Sequence, residues 1–349
     1  MKFKEAYLIP IMALFISQSI FADYSSKDET VEFIDYMSEK HGYDKTYLTS
    51  VFKNAEYQDK VVRIMNKQPE GTMTWERYRG IMVNDSRISA GQEFIGRFEK
   101  DLKRAEEIYG VPAEIIASII GIETRYGRIK GNIKVIDSLS TLAFDYPRRS
   151  KFFKIQLEEF LLLSREENFD PETIKGSIAG AMGYGQFMPD SYRDYAVDFD
   201  NDGVRDILNN PVDAIGSVAN FLNKKGKWKP DIPVAIKAYP LEGIQPIKSS
   251  FKPYMTSIEL EKFGLSTTEA IPNNLKFVPI SLDLNEGYEY WLGFDNYQSI
   301  SRYNLFCLLL NLICLSVVSK KSISSKYLFV IAYCRRLTEL KKYKSFKNN

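Results

Sequence analysis

Apolar side chains return at intervals of three and four through much of the chain, the spacing of one face of an α-helix. Phe33, Ile34 and Met37 form one such stripe, and Phe94, Ile95, Phe98 and Leu102 form a later one, so residues 30–108 are expected to be largely helical. Gly42, Pro69 and Gly71 interrupt the pattern and mark connections. Pro112 suits the first turn of a further helix, along which Ile116, Ile119 or Ile120, and then Glu123 recur. The segment Asp145-Tyr-Pro-Arg-Arg149 reads as a turn. It precedes a helix from Lys151 to about Arg165, whose Phe153, Leu157, Phe160 and Leu161 are most simply core. Another short helix is expected from Asp213 to Lys224. Alternation of the strand kind is confined to pieces such as Lys276 to Leu284, within a segment rich in proline, glycine and aromatic residues. The pattern therefore predicts a mainly α chain with a small β element, a strand pair, in residues 227–304.

The two ends read differently from the body. Residues 1–22 have a basic start at Lys2 and Lys4, an apolar stretch from Ala6 to Ile16 and a cleavage region from Ser17 to Ala22, the order of a secretory signal peptide. No cysteine stands near that cleavage point to carry a lipid. All three cysteines, Cys307, Cys314 and Cys334, fall in residues 305–349, an apolar and then basic tail that is a candidate for peripheral membrane contact. Lys320 to Asn349 holds nine Lys or Arg and one acid, a net +8 that leaves residues 1–319 at −6 within an overall +2. A mildly acidic body is not a general nucleic-acid binder. At 349 residues, with 44% hydrophobic and 26% charged side chains, the chain is long enough to rely on its core without disulfides. A body without cysteine excludes thiol catalysis and cysteine-ligated metals, and a single histidine, His41, excludes histidine triads and clusters.

Three segments carry chemistry. Glu123 lies in Ala117-Ser-Ile-Ile-Gly-Ile-Glu-Thr-Arg-Tyr-Gly127, one carboxylate on an otherwise apolar helical face, where desolvation raises proton affinity toward that of a general acid. A salt bridge to Arg125 or Arg128, or a helix end already in solvent, explains it equally well at this level. Gly176-Ser-Ile-Ala-Gly-Ala-Met-Gly-Tyr-Gly-Gln-Phe-Met-Pro189 has four glycines within ten residues, which permit close approach of a ligand or of another backbone. It lacks the spacing of a phosphate loop, while Ser177, Tyr184 and Gln186 offer hydrogen bonds suited to sugar amides and hydroxyls. In Asp198-Phe-Asp-Asn-Asp-Gly-Val-Arg-Asp206, acids stand at positions 1, 3, 5 and 9, with glycine at 6 and the Val204 carbonyl at 7. That spacing wraps a calcium ion in oxygen ligands. The usual glutamate at position 12 is replaced by Asn209, and Asp213 is placed to close the shell. A structural Ca2+ ion is the expected cofactor, held by Asp198, Asp200, Asp202, Val204 and Asp213. No second carboxylate is fixed beside Glu123 at the separations of ordinary glycosidases, although Asp137 and Asp145 are available.

Taken together, Gly110-Val-Pro112, Ile119 to Gly127, Asp145 to Arg149, Gly180 to Pro189 and Asp213-Ala-Ile-Gly-Ser-Val-Ala-Asn220 resemble the membrane-bound lytic transglycosylase B family over about residues 30–304. The resemblance implies a lysozyme-like catalytic domain with an added helical region, acting on peptidoglycan glycan strands in the periplasm. The implied organisation is a helical scaffold over residues 23–111, a catalytic core with an EF-hand-like loop over 112–226, and the remainder of the catalytic fold over 227–304. It further implies that Glu123 is the acid and then the base. The carboxyl would protonate the oxygen between N-acetylmuramic acid and N-acetylglucosamine, then take a proton from the muramic 6-hydroxyl as a 1,6-anhydro ring closes. Ser177 and Gln186 match substrate contacts, Arg148 and Arg149 match basic cleft positions, and Tyr290 matches an aromatic of the far wall, where core packing is the alternative. The competing functions are a lysozyme-type hydrolase and an inactive peptidoglycan-binding scaffold.

Overall fold

A computed structural model describes residues 23–66 and 74–303, apart from 243, 245, 248 and 249. The signal segment, Pro69, Gly71, the three cysteines and the tail lie outside the described residues. The chain divides into two compact units, one ending at Tyr57 and the other beginning at Gln58.

In the first unit, α1 (Asp28–His41) and α2 (Lys45–Lys53) form a helical pair. The expected stripe of Phe33, Ile34 and Met37 is buried, and the Phe33 ring meets Phe52 edge-on at 5.9 Å. Gly42 ends α1 in the left-handed conformation, and the Asp44 carboxylate then caps α2 by accepting the Tyr47 amide at 2.7 Å.

Among its described residues the second unit is helical with a two-stranded and a four-stranded sheet. Its helices are α3 (Asp59–Asn66), α4 (Trp75–Met82), α5 (Asp85–Arg97), α6 (Glu99–Tyr109), α7 (Ala113–Thr124), α8 (Val135–Phe144), α9 (Ser150–Glu166), α10 (Pro189–Tyr195), α11 (Pro211–Lys224) and α12 (Asp295–Tyr303). Every residue of α8 is buried, α9 packs along it, and Phe153, Leu157, Phe160 and Leu161, the stripe expected for α9, are buried. The later N-terminal stripe is not continuous. Phe98 leaves helical geometry at φ −113° and ψ 27°, so Phe94 belongs to α5 and Leu102 to α6. Periodicity survives such a break because both helices turn their apolar residues to the same core.

The β element is larger than a strand pair. β1 (Ile133–Lys134) pairs with β2 (Lys175–Gly176), and a four-stranded antiparallel sheet has the order β4-β3-β6-β5. Its strands are β3 (Ala235–Pro240), β4 (Leu265–Ser266), β5 (Val278–Asp283) and β6 (Tyr288–Gly293). Only β5 lies in the alternating stretch. β3, beside β6, carries long side chains such as Lys237 and Tyr239 on its partly buried face and small ones such as Ala238 on its buried face, so its sequence alternates little.

α4 is clamped to this sheet by charge. Glu289 of β6 accepts hydrogen bonds from Trp75 Nε1 at 2.6 Å and Lys237 Nζ at 2.9 Å, while Asp283 accepts the Trp75 amide at 2.9 Å. Burial opposes ionisation of Glu289, but attraction by Lys237, the two hydrogen bonds and the charge of Arg79 outweigh it and hold the carboxyl below its ordinary range. A carboxyl depressed in the folded state adds stability above its unfolded pKa and loses it as the pH falls through the folded value. Glu289→Gln should therefore be less stable than wild type by roughly 2 kcal/mol at pH 7. In urea titrations followed by tryptophan fluorescence, the gap should close below the usual carboxylate range, and a gap independent of pH would exclude this origin.

Candidate active site

Ile115, Ile116, Ile119 and Ile120 of α7 are buried, and this apolar surface anchors the helix in the unit. Glu123 follows in the last turn and is half-buried. The helix stops at Thr124. Arg125, Tyr126 and Gly127 all take left-handed backbone, at φ 51°, 60° and 84°. Gly127 has a steric reason for being glycine: a Cβ there would collide with the Tyr184 ring.

The chain after this turn passes along the glycine-rich loop. A Cβ at Gly131, whose φ is +92°, would run into the Gly176 carbonyl. Gly131→Ala should accordingly lower stability by roughly 1–3 kcal/mol, read as a shift in the urea midpoint. The two segments then pair through β1 and β2, with Ile133 opposite Gly176. Thr124 Oγ1 meets the Tyr184 carbonyl at 2.9 Å, and Gln186 Nε2 donates to the Lys130 carbonyl at 3.1 Å. Tertiary contact thus joins the end of the Glu123 helix to the loop bearing Ser177 and Gln186.

The loop leaves defined atoms for a ligand. Ser177 Oγ accepts the amides of Ala181 at 3.0 Å and Ala179 at 3.3 Å, so what it has left to present is its hydroxyl proton. Gln186 donates both amide protons to backbone, to Lys130 and to Gly183 at 3.0 Å, leaving its carbonyl oxygen as the group to offer. Both residues are half-buried. A donor and an acceptor on one rigid loop suit a sugar bearing N-acetyl and hydroxyl groups.

The acidic segment forms a compact loop between α10 and α11. Carboxylate oxygens of Asp198, Asp200 and Asp202 lie within 4.8 Å of one another, and Gly203 at φ +94° makes the sharp turn. Asp198 accepts the amides of Asp202 and Gly203, which curls the backbone around the acids. Three hard oxygen donors this close repel one another and fit a hard cation such as Ca2+. Val204 is exposed beside them. Asp213 is fully buried in the first turn of α11 and stands outside that trio; its two oxygens accept the Phe199 amide at 2.7 Å and the Asp206 amide at 2.8 Å. Burial raises its pKa, against the lowering effect of those hydrogen bonds. The Asp200 amide also acts on this carboxylate as a hydrogen-bond donor, so most of its acceptor capacity is spent on backbone.

The exit of the acidic loop is tied to the glycine-rich loop. Ile207 accepts the Tyr184 amide at 3.0 Å, and the Leu208 carbonyl accepts Lys130 Nζ at 2.6 Å. Buried Tyr192 donates to the Arg205 carbonyl at 2.6 Å and accepts the Ile207 amide at 3.3 Å. Arg205 pairs with Glu166 and Glu167 on and just after α9, and Arg193 of α10 pairs with Glu159 and Glu166. On the other side, the Arg104 guanidinium lies 3.9 Å over the Phe199 ring and donates to the Phe199 carbonyl at 2.6 Å.

Residues 25–306 match the transglycosylase SLT domain. The chain belongs to that family. Over 292 residues this SLT-domain chain is 41% identical to the membrane-bound lytic murein transglycosylase B of Escherichia coli strain K12, covering 81% of the chain and 80% of that protein. Among solved structures it is similar to the E. coli lytic transglycosylase Slt35 in complex with calcium, with TM-score 0.78 and 39% identity over 84% of this chain and 94% of that one. It is also similar to SltB3 of Pseudomonas aeruginosa in complex with NAG-anhNAM-pentapeptide, with TM-score 0.71 and 27% identity over 82% and 78% of the two chains. The SLT-domain protein is therefore an enzyme of the lytic murein transglycosylase type, with a mainly α, lysozyme-like fold, added helices and a small β element.

Within this SLT domain the residues expected from sequence are not all brought together. Arg148 and Arg149 are exposed on the short 3-10 turn Pro147–Arg149, where the Arg149 guanidinium lies 4.5 Å over the Phe152 ring. Tyr290 is 4% exposed and packs in the apolar cluster of the sheet with Ile236, Ala238 and Leu292, so packing alone accounts for it. Asp137 is buried and accepts Gln58 Nε2 at 3.3 Å. Sequence reading passed over Thr124, Lys130 and Tyr192. Only Thr124 carried a signal, its adjacency to Glu123; the other two act on carbonyls distant in sequence.

Proposed function

We propose that this enzyme cleaves the β-1,4 bond between N-acetylmuramic acid and N-acetylglucosamine in peptidoglycan and leaves a 1,6-anhydro-muramic end. The observation that carries the reading is the junction of the Glu123 helix end with the loop presenting Ser177 and Gln186. In this mechanism the Glu123 carboxyl gives its proton to the glycosidic oxygen as the bond to the anomeric carbon breaks. The carboxylate formed then removes the proton of the muramic 6-hydroxyl, whose oxygen bonds to the same carbon. Atoms and charge balance with one carboxyl group and no water. Ser177 donates to, and Gln186 accepts from, the polar groups of the sugars, while Arg148 and Arg149 supply exposed cations for peptide or lactyl carboxylates. The NAG-anhNAM-pentapeptide held by SltB3 is of the product class this chemistry makes.

Catalysis is assigned to residues 112–226, with 23–111 as scaffold and 227–304 completing the fold. Asp198, Asp200 and Asp202, the Val204 carbonyl and Asp213 are the proposed ligands of a structural Ca2+ ion; the calcium named for Slt35 supports it. We place the enzyme in the periplasm, exported by residues 1–22. Among the described residues no helix is long and apolar enough to cross a membrane.

Mass spectrometry of peptidoglycan digested by the purified protein tests the activity. Anhydro-muropeptides are expected. Reducing ends alone would make it a hydrolase, and binding without release would make it a scaffold.

A further inference from the structure

The turn that follows Glu123 is strained. Left-handed backbone costs an L-residue about 1–2 kcal/mol, and here Arg125 and Tyr126 both adopt it before Gly127. Such a conformation persists only where the surroundings over-determine it, and it concentrates at functional sites. Beside backbone hydrogen bonds from Arg125 to Gly121, Tyr126 to Ile120 and Ile129 to Thr124, two side-chain devices hold this one. The Tyr126 ring seats against Gly91 and Gly121, where a Cβ on either would collide with it, and packs 5.2 Å from the Phe94 ring. The other is the hydroxyl of Thr124, a residue that is 1% exposed.

Thr124 Oγ1 accepts the Gly127 amide at 2.9 Å, which closes the left-handed turn. Its single proton faces the Tyr184 carbonyl at 2.9 Å, with the Ile120 carbonyl at 3.1 Å as the alternative acceptor. One oxygen therefore fixes both the turn after Glu123 and the loop that carries Gln186 two residues beyond Tyr184. We infer that Thr124 is a positioning residue for the reaction: its hydroxyl sets Glu123 in register with the substrate-binding loop.

The inference rests on Glu123 being the acid. Removing the hydroxyl leaves the Gly127 amide and the Tyr184 carbonyl without this partner at a buried point, so the turn shifts against a loop that its other ties still hold nearby. A displacement near 1 Å at a reacting group is enough to lower a rate by about 10²-fold. Substrate contacts made elsewhere on the loop persist, so the loss falls on kcat.

The test compares Thr124→Val, Thr124→Ala, Thr124→Ser and Glu123→Gln on peptidoglycan, with KM, kcat and melting temperature measured for each. Valine keeps the shape without the hydroxyl, and alanine serves if valine does not fold. The expected result is a fall in kcat of about 10–100-fold for valine or alanine in the folded protein, KM within about threefold, and recovery by serine to within about threefold of wild type. If Glu123→Gln is inactive while the hydroxyl-free variants keep wild-type kcat, the positioning role is overturned and the acid stands. Equal losses in serine and valine also overturn it. If Glu123→Gln is itself active, the reading of Glu123 fails instead.

Discussion

Glu123→Gln is expected to reduce the release of anhydro-muropeptides by about 10²–10⁴-fold or more, the range that a positioned acid or base contributes. The amide keeps the size and planar shape of the carboxyl, so α7 and its apolar anchor through Ile116, Ile119 and Ile120 should be undisturbed. It cannot give the proton that departure of the glycosidic oxygen needs, nor take one from the 6-hydroxyl. Both halves of the reaction are lost with one atom exchanged. Binding of glycan strands should survive, because Ser177 and Gln186 are held by backbone partners rather than by Glu123. A melting temperature near wild type, with retained binding and no product, completes the expected pattern. Product formation near the wild-type rate would remove Glu123 from the mechanism.

Removal of calcium should lower the melting temperature by roughly 5–10 °C relative to protein held in a hundredfold excess over the dissociation constant. An ion bound only by the folded state adds about 2.7 kcal/mol at that excess. The physical source is the trio of carboxylates within 4.8 Å, which repel one another until a cation joins them. Asp202→Ala removes an exposed member of the trio and its bond to the Val204 amide at 2.9 Å, so it should cost about 1 kcal/mol in chelator and abolish most of the calcium-induced rise. Asp200→Ala should act similarly, with an added loss because Asp200 also accepts Asn210 Nδ2 at 2.7 Å. Asp213→Ala should be destabilised even in chelator, since its buried carboxylate holds the Phe199 and Asp206 amides. Scanning calorimetry with and without chelator separates these cases. A wild type whose melting ignores calcium would end the metal assignment. The ties from Ile207 and Leu208 to Tyr184 and Lys130 let loop order reach the glycine-rich loop, so loss of the ion should also broaden the melting transition.

The elements that were legible in the sequence are those whose signal is local. Helix faces with a clear period, such as Phe153, Leu157, Phe160 and Leu161, became buried faces of the helices expected. The spacing of Asp198, Asp200 and Asp202 around Gly203 was likewise enough to predict a cluster of oxygens, because a tight turn of few residues leaves the side chains little choice. Where the partly buried face of a strand carries long side chains such as Lys237 and Tyr239 and its buried face small ones such as Ala238, as in β3, alternation fades and the strand is missed. Where two helices share a core across a break, as at Phe98, the stripe runs on and the break is missed.

The same division applies to the site. Sequence alone determined which residue types are available: one carboxyl on an apolar helical face, a loop able to approach closely, and acids at calcium spacing. It left open whether Glu123 sits in the core, in a salt bridge or at an edge. Folding left it half-buried in the last turn of α7, which stops at Thr124 in a left-handed turn bonded to Tyr184, sixty residues away in sequence. It also placed Tyr290 inside the sheet cluster, since a strand neighbour of Ala238 and Ser281 is oriented by its register and not by its chemistry. Local pattern can specify an element and a donor set. Which donors share a site depends on contacts between segments far apart in the chain, and those contacts exist only once the core has packed.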